Sequence, residues 1–257
     1  MNTPSTSPVG LDPTSRMINH MEAEIARLIT AESALLRVAG MLGIHAEPDG
    51  QGRYSGQAIA DQVRDALDQR QVDQALAATP SPTILTASGT PMSLTFPAWQ
   101  NIDDQDIAQA LSRICRFGGH SRRFYSVAQH CVHVSEIVPR EDALAALLHD
   151  ATEAYIGDMV SPLKSMLPAY KAIEKRLWSA IAQRFSVDPV LPASVKQADL
   201  QLLATERRDL LPASPMEWPC LEGIEPLEEP IEPWSPDIAS LAWGLRLEEL
   251  LAEREMA

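Results

Sequence analysis

Apolar residues recur at three- and four-residue steps through most of this chain, the period of helices with one buried face. Met21, Ile25, Leu28, Ala31, Leu35 and Val38 form the first stripe and predict a helix from Ser15 to about Leu42. The turn-rich stretch PDGQGRYSG (48–56) interrupts it. Ile59, Val63, Ala66 and Leu67 then mark a second helix over roughly 55–77, and ATPSPT (78–83) reads as a linker. Residues 1–16 are rich in Ser, Thr and Pro and are expected to be disordered, so 17–80 reads as a helical appendage, a hairpin of two helices.

Beyond the linker, ILTASGTPMSL (84–94) predicts a short β-hairpin around Ser88-Gly89. Helical stripes follow: Ile107, Leu111 and Ile114 within 103–116; Val127, His130 and Val134 within 127–138; and an Ala/Leu-rich run within 141–154. Ser126 and Gln129 make the S-x-x-Q pattern of a capping box at the head of the second of these. Further helices are predicted over 169–185 (Tyr170, Ile173, Leu177, Ile181), 192–211 (Val195, Leu202, Leu203) and 236–254 (Ile238, Leu241, Leu245, Leu250). Prolines at 212, 215, 219, 226, 230 and 233, with Pro236 after them, force 212–236 into irregular chain. No internal repeat of solenoid period is present. The expected fold class is all-α, with a helical bundle over 84–257.

The totals narrow the partners. At 45% hydrophobic the 257-residue chain can bury a real core, and its formal net charge of −14 argues against a nucleic-acid polymer as ligand. Cys115, Cys131 and Cys220 show no metal-type CxxC spacing and read as reduced thiols. The start carries no secretory signal pattern and no apolar run has spanning length, so a cytoplasmic location (host cytoplasm, if phage-encoded) without a membrane is expected.

Three polar residues break the helical stripes from within. His130 lies between Val127 and Val134, His149 four residues after Ala145 and four before Glu153, and Asp199 between Val195 and Leu202. Asp150 adjoins His149 at the end of the greasiest short segment. A single inward polar group is most often satisfied by an ordinary hydrogen bond. Several on neighbouring helices point instead to a divalent cation, which neutralises carboxylates and takes neutral imidazoles as donors. Two imidazoles and two carboxylates suit Mn, Fe, Co, Ni or Zn, with Mg also open.

The order H…HD…D, with HDATEAYIGD running from His149 to Asp158, resembles the HD-domain phosphohydrolase superfamily, and within it the 5'-deoxynucleotidases and related bacterial and phage nucleotide hydrolases. RFGGHSRRFYSVAQH (116–130) is similar to the segment that opens that domain, and the likeness covers roughly 84–211 with the Pro233-Trp234 tail. The resemblance implies His130, His149, Asp150 and Asp199 as ligands of one divalent cation per chain, there being no later histidine for a second. It implies Glu153 as the group that orients or deprotonates the attacking water, and Asp158 as a general acid at the leaving oxygen, although Asp158 also reads as a cap for the next turn. Arg116 and Phe117 match an Arg-Trp pair that discriminates the sugar, with Phe in place of Trp.

Residues 111–135 hold Arg113, Arg116, Arg122 and Arg123 and no acid, a positive island in an acidic chain. Arg122 and Arg123, with His120 and Lys164, are candidates for holding a phosphate, against the alternative of solvated helix ends. The expected activity is metal-dependent hydrolysis of the 5' phosphate ester of a (deoxy)nucleotide by water activated on the metal, as a nucleotidase. Release of triphosphate from a dNTP is the alternative, and a nucleotide-sensing or partner-binding HD module without turnover is a second. The appendage carries a further expectation, self-association.

Overall fold

The computed structural model describes residues 82–256 and, before them, Leu36, Ala39, Gly40, Ile44, Ser55, 58–64, 66–67 and 70. The expected tail over 1–16 and most of the first predicted helix lie outside the described residues. The chain divides into two compact units, 1–75 and 76–257. In the first, 58–64 is helical and Ser55 Oγ accepts the Ala58 N–H at 3.3 Å, as an N-cap does. Ile59, Val63 and Leu67 from the predicted stripe are buried with Ala39 and Ala60, and Leu36 and Ile44 pack against them.

The second unit is mostly helical and opens with a two-stranded antiparallel hairpin, β1 (Thr83–Leu85) and β2 (Pro91–Ser93), in register Thr83↔Ser93. Its turn runs through Ser88 and Gly89, where a φ of +83° suits glycine. Asp106 anchors that turn by accepting the Ser88 N–H and Oγ–H at 2.6 and 2.8 Å. Asp106 belongs to α1 (Asp104–Arg113), whose N-cap Asp103 accepts from Gln105 and Asp106. The predicted helix over 103–116 stops early because Cys115 bridges to Ser126, leaving 116–119 as a tight turn.

Next come α2 (Val127–Ile137), α3 (Ala143–Leu148), α4 (Glu153–Ile156), α5 (Ser161–Lys164), α6 (Pro168–Phe185), α7 (Ala193–Leu210) and α8 (Pro236–Glu255). The last helix packs on α1, α2 and α3, inserting the fully buried Trp243 with Ala239, Leu247 and Leu250. Two expectations are corrected here. The helix predicted over 141–154 is two helices, broken by turns at His149–Thr152, so the His-Asp pair sits on a bend. The stripe predicted for the last helix holds only at Leu250, which is buried: Ile238, Leu241 and Leu245 are 54%, 63% and 56% exposed. That helix is apolar on more than one side, and the side carrying Trp243 wins burial because the indole removes the most area from water.

Residues 212–235 are irregular apart from one short turn at Pro219–Leu221. Prolines leave this strap few N–H groups, and side chains of α2 and α7 accept from it. Thr205 Oγ1 takes the Leu227 N–H at 2.9 Å, Asp209 the Ile231 N–H at 2.9 Å and Gln129 Oε1 the Trp234 N–H at 2.8 Å. Only half of the expected capping box forms: Ser126 Oγ accepts the Gln129 N–H, but the Gln129 side chain is spent on the strap, donating to Glu232 O at 2.9 Å.

Candidate metal centre

The inward histidine of α2 and the carboxylate of α7 meet the bend after α3. His130 is fully buried, and its Nε2 lies 3.3 Å from His149 Nε2, 3.6 Å from Asp150 Oδ2 and 3.5 Å from Asp199 Oδ1. His149 Nε2 is 3.2 Å from Asp150 Oδ2. His130, His149 and Asp199 each offer a ligand atom within 4.8 Å of the others. A cation with bonds of about 2.1 Å sets neighbouring ligands about 3.0 Å apart in an octahedron and about 3.4 Å apart in a tetrahedron. The observed spacings fall close to that window.

Ring tautomers strengthen the fit. His149 Nδ1 donates to the Ala146 carbonyl at 2.7 Å, and a carbonyl only accepts, so Nε2 of the neutral ring carries its lone pair toward the cluster. His130 Nδ1 donates to Glu206 Oε1 at 2.7 Å, which leaves its Nε2 in the same state. Two ring lone pairs facing each other at 3.3 Å repel unless a positive charge lies between them. The same attraction acts on a proton: burial opposes charge on His149, but Asp150 outweighs it and holds the imidazole well above its ordinary value.

The surrounding carboxyls tell the same story. Burial pushes Asp150 and Asp199 up, yet the histidines, joined by Arg116 for Asp150 and by Lys196 for Asp199, hold both well below the usual carboxylate range. Lys196 Nζ donates to Asp199 Oδ2 at 2.9 Å. Glu153 goes the other way: burial, then Asp150 and Asp158, push it well above its ordinary value. Its Oε2 is buried without a hydrogen-bond partner, a costly state for a carboxyl that is not turned toward a ligand. Asp158 is raised first by burial, against the pull of Arg116. These residues fit a divalent cation.

A second group, Cys131, His149 and Asp150, also brings ligand atoms within 4.8 Å of one another. Burial pushes the Cys131 thiol up, and a protonated thiol is a poor ligand, so the His/Asp set is the better donor group.

Glu206 is the residue that the stripe reading overlooked. It is fully buried on α7, accepting from His130 through Oε1 and from Arg116 Nε and Nη2 through Oε2 at 3.2 and 3.1 Å. Burial raises its carboxyl, but Arg116 and His130 outweigh that and hold it below the ordinary value. A signal was present: Glu206 follows Asp199 by seven residues, two helical turns along the same face.

Arg116 is thus a buried bracket, with Nη1 3.6 Å from Asp150 Oδ2 and its guanidinium 5.4 Å from the Phe117 ring. Phe117 has a φ of +58°, a left-handed conformation that costs a non-glycine residue about 1 kcal/mol or more. Of the remaining candidates, Lys164 is within electrostatic reach of Asp150 and Glu153. His120 is exposed. Arg122 donates to the Leu211 carbonyl, closing the end of α7, and Arg123 pairs with Glu232 at 3.0 Å. Both line a cleft of about 360 Å³ with Arg208 and Pro230. Lys164 pairs with Glu174 and lies 5.8 Å from the Tyr170 ring. No helix among the described residues is long and apolar enough to cross a membrane.

Compared with models of known protein families, the chain matches none. It is 52% identical over 131 residues to the uncharacterized protein YfdR of Escherichia coli strain K12, across 50% of this chain and 74% of that one. It is 37% identical over 121 residues to the uncharacterized protein RCAP_rcc00048 of Rhodobacter capsulatus, across 43% of this chain and 62% of that one. At 52% identity over about three quarters of YfdR, the chain belongs to the same protein family as YfdR.

Proposed function

We propose that this protein is an HD-type, metal-dependent phosphohydrolase that cleaves the 5' phosphate ester of (deoxy)nucleotides, acting as a nucleotidase. The observation that carries the reading is the meeting of His130 Nε2, His149 Nε2 and the Asp150 and Asp199 carboxylates, with Glu153, whose Oε2 is buried without a hydrogen-bond partner, in electrostatic reach of Asp150. These four side chains would hold the cation. When bound there, a divalent ion supplies Lewis acidity, polarising a phosphoryl oxygen and making water acidic enough to attack near neutral pH.

The chain's own groups account for the rest. Glu153, whose buried Oε2 has no hydrogen-bond partner, is the group suited to take a proton from water, and its carboxyl would be charged with a cation held at the site. Asp158, raised by burial, is suited to give a proton to the departing 5' oxygen. Arg116 adds fixed positive charge next to Asp150. Of the arginines expected to grip additional phosphates, Arg122 is held by the Leu211 carbonyl and Arg123 makes an exposed pair with Glu232, and the number of phosphates on the substrate is decided by the product assay below.

The test is a panel of dNMPs and dNTPs with Mn, Co and Mg, assayed for nucleoside and for phosphate or triphosphate. Nucleoside and inorganic phosphate from dNMPs are expected. Asp150→Ala should lose metal and hydrolysis together, while Glu153→Gln should keep metal and lose at least about 100-fold in turnover. Triphosphate release from dNTPs would move the assignment to a triphosphohydrolase. Full hydrolysis by metal-free Asp150→Ala protein would overturn the mechanism.

A further inference from the structure

We infer that Glu206 is a positioning residue that selects the tautomer of His130, with Arg116 as the lock that keeps the selection one-way. The consequence for cation binding rests on the metal-centre reading above; the selection itself does not.

Glu206 has no exposed surface, and each of its oxygens is committed. Oε1 accepts from His130 Nδ1 at 2.7 Å, and Oε2 accepts from Arg116 Nε at 3.2 Å and Nη2 at 3.1 Å. A guanidinium has only donors, so the atom facing Arg116 must be an acceptor. A carboxylate also presents an acceptor to His130, which places the ring proton on Nδ1 and the lone pair on Nε2. That nitrogen is the one 3.3 Å from His149 Nε2 and 3.5 Å from Asp199 Oδ1.

An amide of the same shape breaks this arrangement in a defined way. In Glu206→Gln the side-chain oxygen must face Arg116, since the opposite orientation sets the amide N–H groups against two buried cationic donors. The amide nitrogen then faces His130 Nδ1, and because it only donates, Nδ1 must accept. The ring proton moves to Nε2, into the middle of the cluster, and blocks the lone pair a cation needs. Volume is unchanged and Arg116 keeps its acceptor, so the fold is retained. Glu206→Asp, which presents acceptors only, preserves the native tautomer.

Long-range ¹⁵N–¹H NMR of the imidazole nitrogens on metal-free full-length protein, recorded at a pH where the spectrum itself shows the His130 ring carrying a single proton, reads the tautomer directly. His130 should show a protonated Nδ1 in the wild type and in Glu206→Asp, and a protonated Nε2 in Glu206→Gln. Co(II) affinity of Glu206→Gln should fall about 10- to 100-fold, the usual cost of losing a group that orients a metal-binding histidine. A His130 that keeps its Nδ1 proton in Glu206→Gln overturns the inference and leaves the metal reading standing. A wild type that takes up no Co(II), Mn(II) or Zn(II) overturns the metal reading, while the NMR comparison still decides the role of Glu206.

Discussion

Asp199→Ala separates a metal ligand from a structural residue, because the two roles predict opposite thermal behaviour. In the metal-free protein the Asp199 side chain is 23% exposed; its Oδ1 lies 3.5 Å from His130 Nε2, and its Oδ2 accepts from Lys196, itself 70% exposed. A pair that open to solvent contributes less than about 1 kcal/mol. Losing it moves the melting temperature of a unit of about 180 residues by no more than about 2–4 °C. Metal is a different matter. A cation at 100 times its Kd adds about 2.7 kcal/mol to the folded state, a rise of about 5–11 °C for a unit of this size. Weakening the site only 100-fold brings the concentration down to Kd and the gain to about 0.4 kcal/mol, close to the noise of a melt. Differential scanning fluorimetry with and without Mn(II) or Co(II), on wild type and Asp199→Ala, makes the comparison. The expected pattern is similar metal-free melting temperatures, a metal-induced rise in the wild type and almost none in the variant. An equal rise in both removes Asp199 from the ligand set. No rise in the wild type with Mn(II), Co(II), Zn(II) or Mg(II) refutes the site.

Two further predictions address the scaffold that holds the cluster. Leu247→Ala in the buried face of α8 should cost about 2–5 kcal/mol in urea unfolding, and Leu245→Ala on its exposed face no more than about 0.5 kcal/mol; the reverse order would contradict the burial of the last helix. Gln129→Ala strips two hydrogen bonds from the proline-rich strap and should cost about 1–3 kcal/mol, with faster hydrogen exchange at the Trp234 amide; unchanged exchange would mean that the strap is held some other way.

How much of this was legible beforehand depends on how local the signal is. Ser126 announces the head of α2 because a cap and its target N–H are three residues apart, and Ser88-Gly89 announces the hairpin because the turn needs a positive φ at one position. The break in the helix after Leu148 was missed because an Ala/Leu run continues a helical pattern on paper. In the structure the backbone keeps helical dihedrals at His149, but the bonds beyond it tighten to three-residue turns, Ala151 N–H to Leu148 O and Glu153 N–H to Asp150 O, and the His149 ring folds back onto the Ala146 carbonyl. Ile238, Leu241 and Leu245 share a three- and four-residue rhythm with the truly buried Ala239, Trp243 and Leu247, and periodicity alone cannot choose between two apolar faces of one helix.

Residue order alone reveals which side chains stand out of place: imidazoles and carboxylates at core positions of helices far apart in the chain. Their partners are set by how the helices pack. Arg116 is 90 residues from Glu206, and Arg123 is 109 from Glu232. Nothing in the local pattern tells a buried bracket from a surface ion pair, since both are single arginines in one short positive stretch. The difference is burial: where water is excluded, an arginine must find a carboxylate and a histidine must commit its proton to one nitrogen, and that commitment arises only when the helices close over it.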